Sequence, residues 1–401
     1  MSSTRGTRSG RRVRGALFLV VLALLSMLVG AEGMRVGGDA EGADGRAAFY
    51  AQPSPVQAGA PGALVKTEEL VGVPPLTRAW RIMYHSTDLD GADVIVTGVL
   101  VVPLGQAPAG GRTVVSWGHP TTGSAPECAP SYQFDPFLLT EGLRAMLDRG
   151  YAVVGTDYAG MGTTGPDSYL VAVTEARNVL DAVRAAQGIP EAQAGEDVVL
   201  WGHSQGGQAV LRAAEIAGSY APELRIRAVA AAAPAAQLDR LVKAHLDDIS
   251  GVTIGSYAFP AYARVYGATV PGARLDGILT PAAIADAPRM NRLCLLSDLS
   301  ELHAIGTPLV GNFFLADPTV TEPWRTLLIE NSAGSVPFAA PLFLAQGESD
   351  ALVIPADTRA FAEHERAMGM DVTFEAIPFA DHGTVAYLAI PALMAWLDRL
   401  G

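Results

Sequence analysis

The chain has 401 residues, 49% of them apolar and only 17% charged, so it can bury a large core and is not disordered by default. Against 41 Asp and Glu stand 28 Lys and Arg, a net charge of -13, which excludes the basic face that nucleic-acid phosphates require.

The chain opens with a targeting segment. Arg5, Arg8, Arg11, Arg12 and Arg14 precede an apolar run over residues 16–29, broken only by Ser26, and then come Gly30, Ala31 and Glu32. A basic head, a short apolar middle and a small-residue exit make a secretory signal over residues 1–31, with cleavage after Ala31. The run falls short of the ~20 residues a membrane-spanning helix needs, so a retained N-terminal anchor is the alternative. Residues 32–62, rich in Gly, Ala, Pro and Gln, read as a poorly ordered leader.

Strand-like runs then recur at 94–102, 113–117, 151–156, 198–201, 226–232, 342–345 and 372–377, with helical patterns at 138–149, 169–186 and 207–217. Strand alternating with helix predicts an α/β fold with a mostly parallel sheet covered on both faces, built from 63–235 and 336–401. Residues 236–335 break the rhythm with prolines and aromatics such as Tyr257, Phe259 and Trp324. That interval is too long for a connection and reads as an inserted cap. Loops at the carboxyl ends of parallel strands flank the ligand site, so the cap is expected over the nucleophile; the alternative is a packing domain away from substrate.

The chemistry centres on Val198-Val-Leu-Trp-Gly-His-Ser-Gln-Gly-Gly207, which reads as strand, sharp turn, helix. Gly202-His203-Ser204-Gln205-Gly206 fits G-x-S-x-G, in which the turn strains the serine backbone and excludes side chains two residues to either side. Ser204 is the candidate nucleophile. Its base should follow later in the chain, on a loop after a strand. Of His245, His303, His364 and His382, only His382 lies just after the last strand-like run. For the acid, Ala345-Gln-Gly-Glu-Ser-Asp350 places Asp350 after the penultimate strand, with Glu348 as competitor; Asp381 adjoins His382 and turns back onto it with difficulty. An oxyanion needs two N–H donors, expected from Gln205 and from the loop Gly118-His-Pro-Thr-Thr-Gly123. Pro120 has no N–H, which leaves Thr121 first and Thr122 second. His119 and His203 are read as packing and positioning residues. In an oxidising compartment Cys128 and Cys294 most simply pair, the alternative being two unrelated buried thiols. No metal or organic cofactor is implied.

Beyond these readings the chain resembles the secretory lipases of the α/β-hydrolase superfamily, lipase A type. The resemblance runs from Phe49-Tyr50 to the C-terminus and is carried by PGALVKTEEL, GHPTTG with ECAPSY after it, DYAGMG, SYLVAVTEARNVLDAVRAA, WGHSQGGQAVLRAAE, DPTVTEPWRTLLIENSAG, QGESDALVIP and DHGT. It implies a Ser204, Asp350, His382 triad, a helical cap after the sixth strand and a Cys128 to Cys294 bridge from the base of that cap to the oxyanion loop. It also implies hydrolysis of acyl lipids or smaller acyl esters; an acyl ester or lipid is thus the expected partner, and transient lipid-surface contact through the cap is a further expectation. The chain departs from its relatives at Pro120, where many carry glycine. The expected function is therefore an exported serine ester hydrolase; the rivals are an acyltransferase on the same triad and a catalytically silent fold that binds a lipid or a protein.

Overall fold

Val114 and Val115, like Val198 and Val199, point to opposite faces of one sheet and are fully or almost fully buried on both, the signature of strands covered on each side. The computed structural model describes residues 47–401. Nine strands run in chain order as β1 (Leu64–Glu69), β2 (Thr77–Thr87), β3 (Asp93–Pro103), β4 (Arg112–Gly118), β5 (Ala152–Thr156), β6 (Ala194–His203), β7 (Arg225–Ala232), β8 (Leu342–Gly347) and β9 (Val372–Ile377). Their spatial order is β1-β2-β3-β5-β4-β6-β7-β8-β9. Strands β1, β2, β3 and β5 pair antiparallel, and from β5 to β9 every neighbour is parallel.

The helices are α1 (Leu143–Asp148), α2 (Ala172–Gln187), α3 (Gln205–Tyr220), α4 (Leu238–Ala244), α5 (Ile249–Tyr266), α6 (Pro281–Met290), α7 (Leu299–Gly306), α8 (Trp324–Glu330), α9 (Pro355–Ala367) and α10 (Val385–Leu400). On one face α2, α3 and α9 pack against Val114, Val198, Leu200 and Leu344. On the other, α1 and α10 cover Val115, Trp117, Val199 and Trp201. Helices on both sides of a mostly parallel, open sheet make this an α/β-hydrolase fold.

Helices α4 to α8 lie between β7 and β8 and form a third apolar cluster around Tyr257, Phe259, Phe313 and Trp324, shared with Tyr169, Leu170 and Val171 from the loop before α2. The insertion is held to the rest of the fold at several points, and three of them bear on the site. At the first, Cys294 is bonded to Cys128 and the Leu295 N–H donates to the Thr122 carbonyl at 2.8 Å. At the second, the Asn331 side chain accepts the N–H of Ala172 at 2.8 Å. At the third, His245 Nε2 donates to the Leu352 carbonyl at 2.8 Å, reaching the loop after β8.

The disulfide closes a separation of 166 residues. On the loop-entropy account that is worth about 5 kcal/mol, so a Cys128→Ser, Cys294→Ser double variant loses up to that much stability, read as a lower denaturant midpoint with a steeper slope, because the unlinked unfolded chain exposes more surface.

Three expectations need correction. Strands β1 and β2 lie ahead of the first strand read from the sequence. In consequence seven strands precede the insertion in the chain, where the sequence reading finds five and the resemblance implies six. The helix expected at 138–149 begins only at Leu143, because Gly142 takes a left-handed φ of 81° that stops helix propagation toward the N-terminus. The signal reading of residues 1–31, and the leader reading as far as residue 46, lie outside the described residues. Among the described residues, no helix is long and apolar enough to cross a membrane.

Candidate active site

Strand β6 ends at His203 and α3 begins at Gln205, so Ser204 alone makes the turn. It adopts φ 56° and ψ -116°, a conformation disfavoured for any side chain and held here by its surroundings. Its N–H donates to Ala232 O at the end of β7, and its carbonyl accepts from Ala235 and Gln208, at 3.0, 3.0 and 3.1 Å. The flanking glycines are sterically required. A Cβ on Gly202 would run into the Gly206 carbonyl, and one on Gly206 into the Gly118 carbonyl of the neighbouring loop.

His382 is carried on the loop between β9 and α10, and Asp350 on the loop after β8. His382 Nε2 lies 2.9 Å from Ser204 Oγ, and its Nδ1 lies 2.8 Å from Asp350 Oδ2. An ionised carboxylate accepts only, so Nδ1 carries the proton and Nε2 is free to accept the serine O–H. The Asp350 carboxylate is saturated. Its Oδ1 accepts the N–H groups of Leu352 and Val353 at 2.8 and 3.0 Å, and Oδ2 also accepts Gln346 Nε2 at 3.1 Å. Burial raises the pKa of this carboxyl, but the bond from His382 and these backbone donors outweigh it and hold the group below its ordinary value. At His382 burial dominates and lowers the pKa, against the pull of Asp350.

The competing acids are elsewhere. Glu348 is exposed, and Asp381 turns outward to bond Thr384 at 2.6 Å. His245 binds Asp248 and the Leu352 carbonyl, and His364 binds the Gly334 carbonyl. His119 is buried against Tyr158 with ring centroids 4.3 Å apart, and burial pushes its pKa down to about 4, so it is neutral. His203 packs its ring 4.9 Å from that of His382 while its Nδ1 contacts Glu141 at 3.0 Å. Glu141 also accepts the indole N–H groups of Trp117 and Trp201 through its carboxylate and its carbonyl.

The loop after β4 lies against the first turn of α3. Among the described residues, no protein acceptor takes the backbone N–H of Gln205 or of Thr121. The first N–H groups of a helix have no partner within it, so the Gln205 donor is open by construction. The Thr121 side chain is pinned to the Tyr169 hydroxyl at 2.7 Å, and the adjacent Thr122 carbonyl is tied to the insertion. Among the described residues, no group of three or more His, Cys, Asp or Glu could hold a metal ion.

Sequence reasoning missed Gln346, Glu141 and Glu175. Gln346 is anchored by Thr358 at 2.6 Å and steadies Asp350. Glu175 is fully buried on α2 and accepts the Gln205 carboxamide N–H at 2.6 Å. Glu175, Asn178 and Asp181 recur at helical spacing, a pattern that in sequence reads as a solvated face, yet the helix has almost no exposed surface.

The profile of the secretory lipase family matches residues 131–400. Over 377 residues the chain is 26% identical to a probable inactive lipase of Mycobacterium tuberculosis, covering 88% of this chain and 81% of that protein. It is 24% identical over 374 residues to lipase A of Moesziomyces aphidis, covering 86% and 78%. Among solved structures, Candida antarctica lipase A in its closed state superposes with a TM-score of 0.70 at 18% identity, covering 88% of this chain and 85% of that one. The rice cell wall degrading esterase of Xanthomonas oryzae superposes with a TM-score of 0.69 at 20% identity, covering 86% and 100%.

Proposed function

The chain belongs to the secretory lipase family, and on that premise we propose that this carboxylic ester hydrolase is exported and cleaves acyl esters, triacylglycerols among them, through an acyl-enzyme on Ser204. One observation carries the reading: His382 spans Ser204 and Asp350 with contacts of 2.9 and 2.8 Å. That unbroken chain supports activity here, although one relative is named a probable inactive lipase.

In the first step Ser204 Oγ bonds to the acyl carbon as His382 Nε2 takes its proton, and Asp350 stabilises the imidazolium. The N–H groups of Gln205 and Thr121 bind the oxyanion. The imidazolium then protonates the leaving alcohol, and water, activated by the same nitrogen, releases the acid. The insertion, residues 236–335, acts as the cap that shapes the acyl site. Its exposed Leu296, Leu315 and Val320 support lipid-surface contact through that cap. The signal-like residues 1–31 and the family support export with the signal removed.

The test is a p-nitrophenyl ester series from acetate to palmitate, with free acid and transferred ester quantified in alcohol and water mixtures. Turnover to free acid sustains the reading; transfer to alcohol in preference to water makes the chain an acyltransferase, and no turnover with any ester overturns it. The pH dependence has a definite sign. The base must be neutral, and burial sets the His382 pKa below the ordinary imidazole value of about 6.5. kcat/KM is therefore expected to fall as pH drops through a midpoint below about 6.5, measured by initial rates on a soluble ester.

A further inference from the structure

Glu175 stands in the first turn of α2 with no exposed surface. Its Oε1 accepts two donors, the Leu170 N–H at 2.8 Å and Gln205 Nε2 at 2.6 Å. Its Oε2 is buried without a partner, and so is the Oε1 of the same Gln205 carboxamide. An ionised carboxylate would leave both oxygens bare in a low-dielectric site. A neutral acid removes both defects together. Its O–H supplies the donor that the Gln205 oxygen lacks, while Oε1, as the carbonyl oxygen, accepts the Gln205 N–H, so that a two-way pair becomes available.

The groups around Glu175 favour the same state. Asp167, on the loop before α2, adds a second acid, and Tyr158, Tyr169 and Tyr262 contribute phenols rather than cations. From α3 comes the neutral Gln205, and Arg264 of α5 acts on Asp167 instead. Burial first, then Asp167, push the Glu175 carboxyl up to about 8 against its two donors.

We propose that Glu175 is a positioning residue held as the neutral acid, that its two-way pair fixes the Gln205 carboxamide so that the Gln205 backbone N–H stays aimed at the oxyanion, and that ionisation in alkali, by removing the O–H that serves the Gln205 oxygen, cuts this pair to a single bond. The inference rests on the Ser204 reading above. Gln205 begins the helix directly after the nucleophile, so loosening its side chain moves the donor that matters most in the transition state.

The test compares the parent with Glu175→Gln and Glu175→Ala in kcat and KM on a soluble p-nitrophenyl ester across the pH range, and in melting temperature over the same range. The parent loses kcat in alkali with a midpoint near 8. Glutamine reproduces the neutral acid's donor and acceptor, so Glu175→Gln keeps kcat within about 3-fold at neutral pH and lacks that alkaline loss, while Glu175→Ala drops kcat at least ~10-fold with KM little changed. Stability has its own sign. The folded chain keeps a proton that the unfolded chain releases in the ordinary carboxylate range, so parent stability falls as pH climbs from there to about 8. The melting-temperature advantage of Glu175→Gln over the parent therefore grows across that interval.

A Glu175→Gln variant as impaired as Glu175→Ala, or one with the parent's alkaline limb intact, overturns the proposal. If no protein turns over any ester, the Ser204 reading has failed, and the melting profile still decides this one: a pH-independent difference refutes it and a growing one sustains it.

Discussion

Ser204→Ala lowers kcat/KM on a soluble p-nitrophenyl ester by about 10⁶-fold, equivalent to about 8 kcal/mol of transition-state stabilisation. The size follows from the arrangement. Alanine removes the atom proposed to form the acyl bond, and on that proposal His382 and Asp350 are then left without a nucleophile to activate. The fold survives, because the strained turn is held by backbone bonds from Ala232, Ala235 and Gln208 that the substitution leaves in place. The thermal midpoint should therefore stay near that of the parent while activity vanishes. A variant retaining more than about 1% of parental kcat/KM removes Ser204 from the mechanism.

Asp350→Asn is the second large effect, expected at about 10⁴-fold in kcat/KM. The carboxylate meets four donors: His382 Nδ1, Gln346 Nε2 and the N–H groups of Leu352 and Val353. A carboxamide carries only one acceptor oxygen and must turn its NH₂ toward one side or the other. Turned toward His382, it forces the proton onto Nε2, which then cannot accept from Ser204. Turned toward the loop, it sets donor against the Leu352 and Val353 N–H groups and unseats the loop. The measurement is kcat/KM beside the denaturant midpoint. Loss of activity at near-parental stability identifies the tautomer effect, and loss of both identifies the loop.

The grouping of Ser204, His382 and Asp350 could be anticipated from the sequence because each follows a strand-like run, and such runs end where a parallel sheet presents its loops. Glu348 and Asp381 carry the same charge at neighbouring positions, and only burial separates them from Asp350. Strands β1 and β2 were hidden by their composition. Lys66 and Glu68 on β1, and Arg78, Arg81 and His85 on β2, interrupt the apolar pattern, and some of these are absorbed by ion pairs such as Arg81 with Glu68 at 2.8 Å. Glu175 was hidden for the opposite reason. Polar residues at helical spacing ordinarily mark a solvated face, whereas α2 is enclosed by the sheet, α3 and the insertion, so its stripe is the inside of the molecule.

The Cys128 to Cys294 bond also sets what a protease can take apart. The ring it closes contains Ser204 but neither Asp350 nor His382. A peptide bond cut at any point inside the ring leaves two fragments still joined through sulfur, with Ser204, Asp350 and His382 in one covalent molecule. A cut between residues 295 and 349 instead divides the polypeptide bearing the nucleophile from the one bearing its partners, and only non-covalent packing then holds them together. The parts of the insertion before and after Cys294 are thus unequal in what their cleavage disconnects.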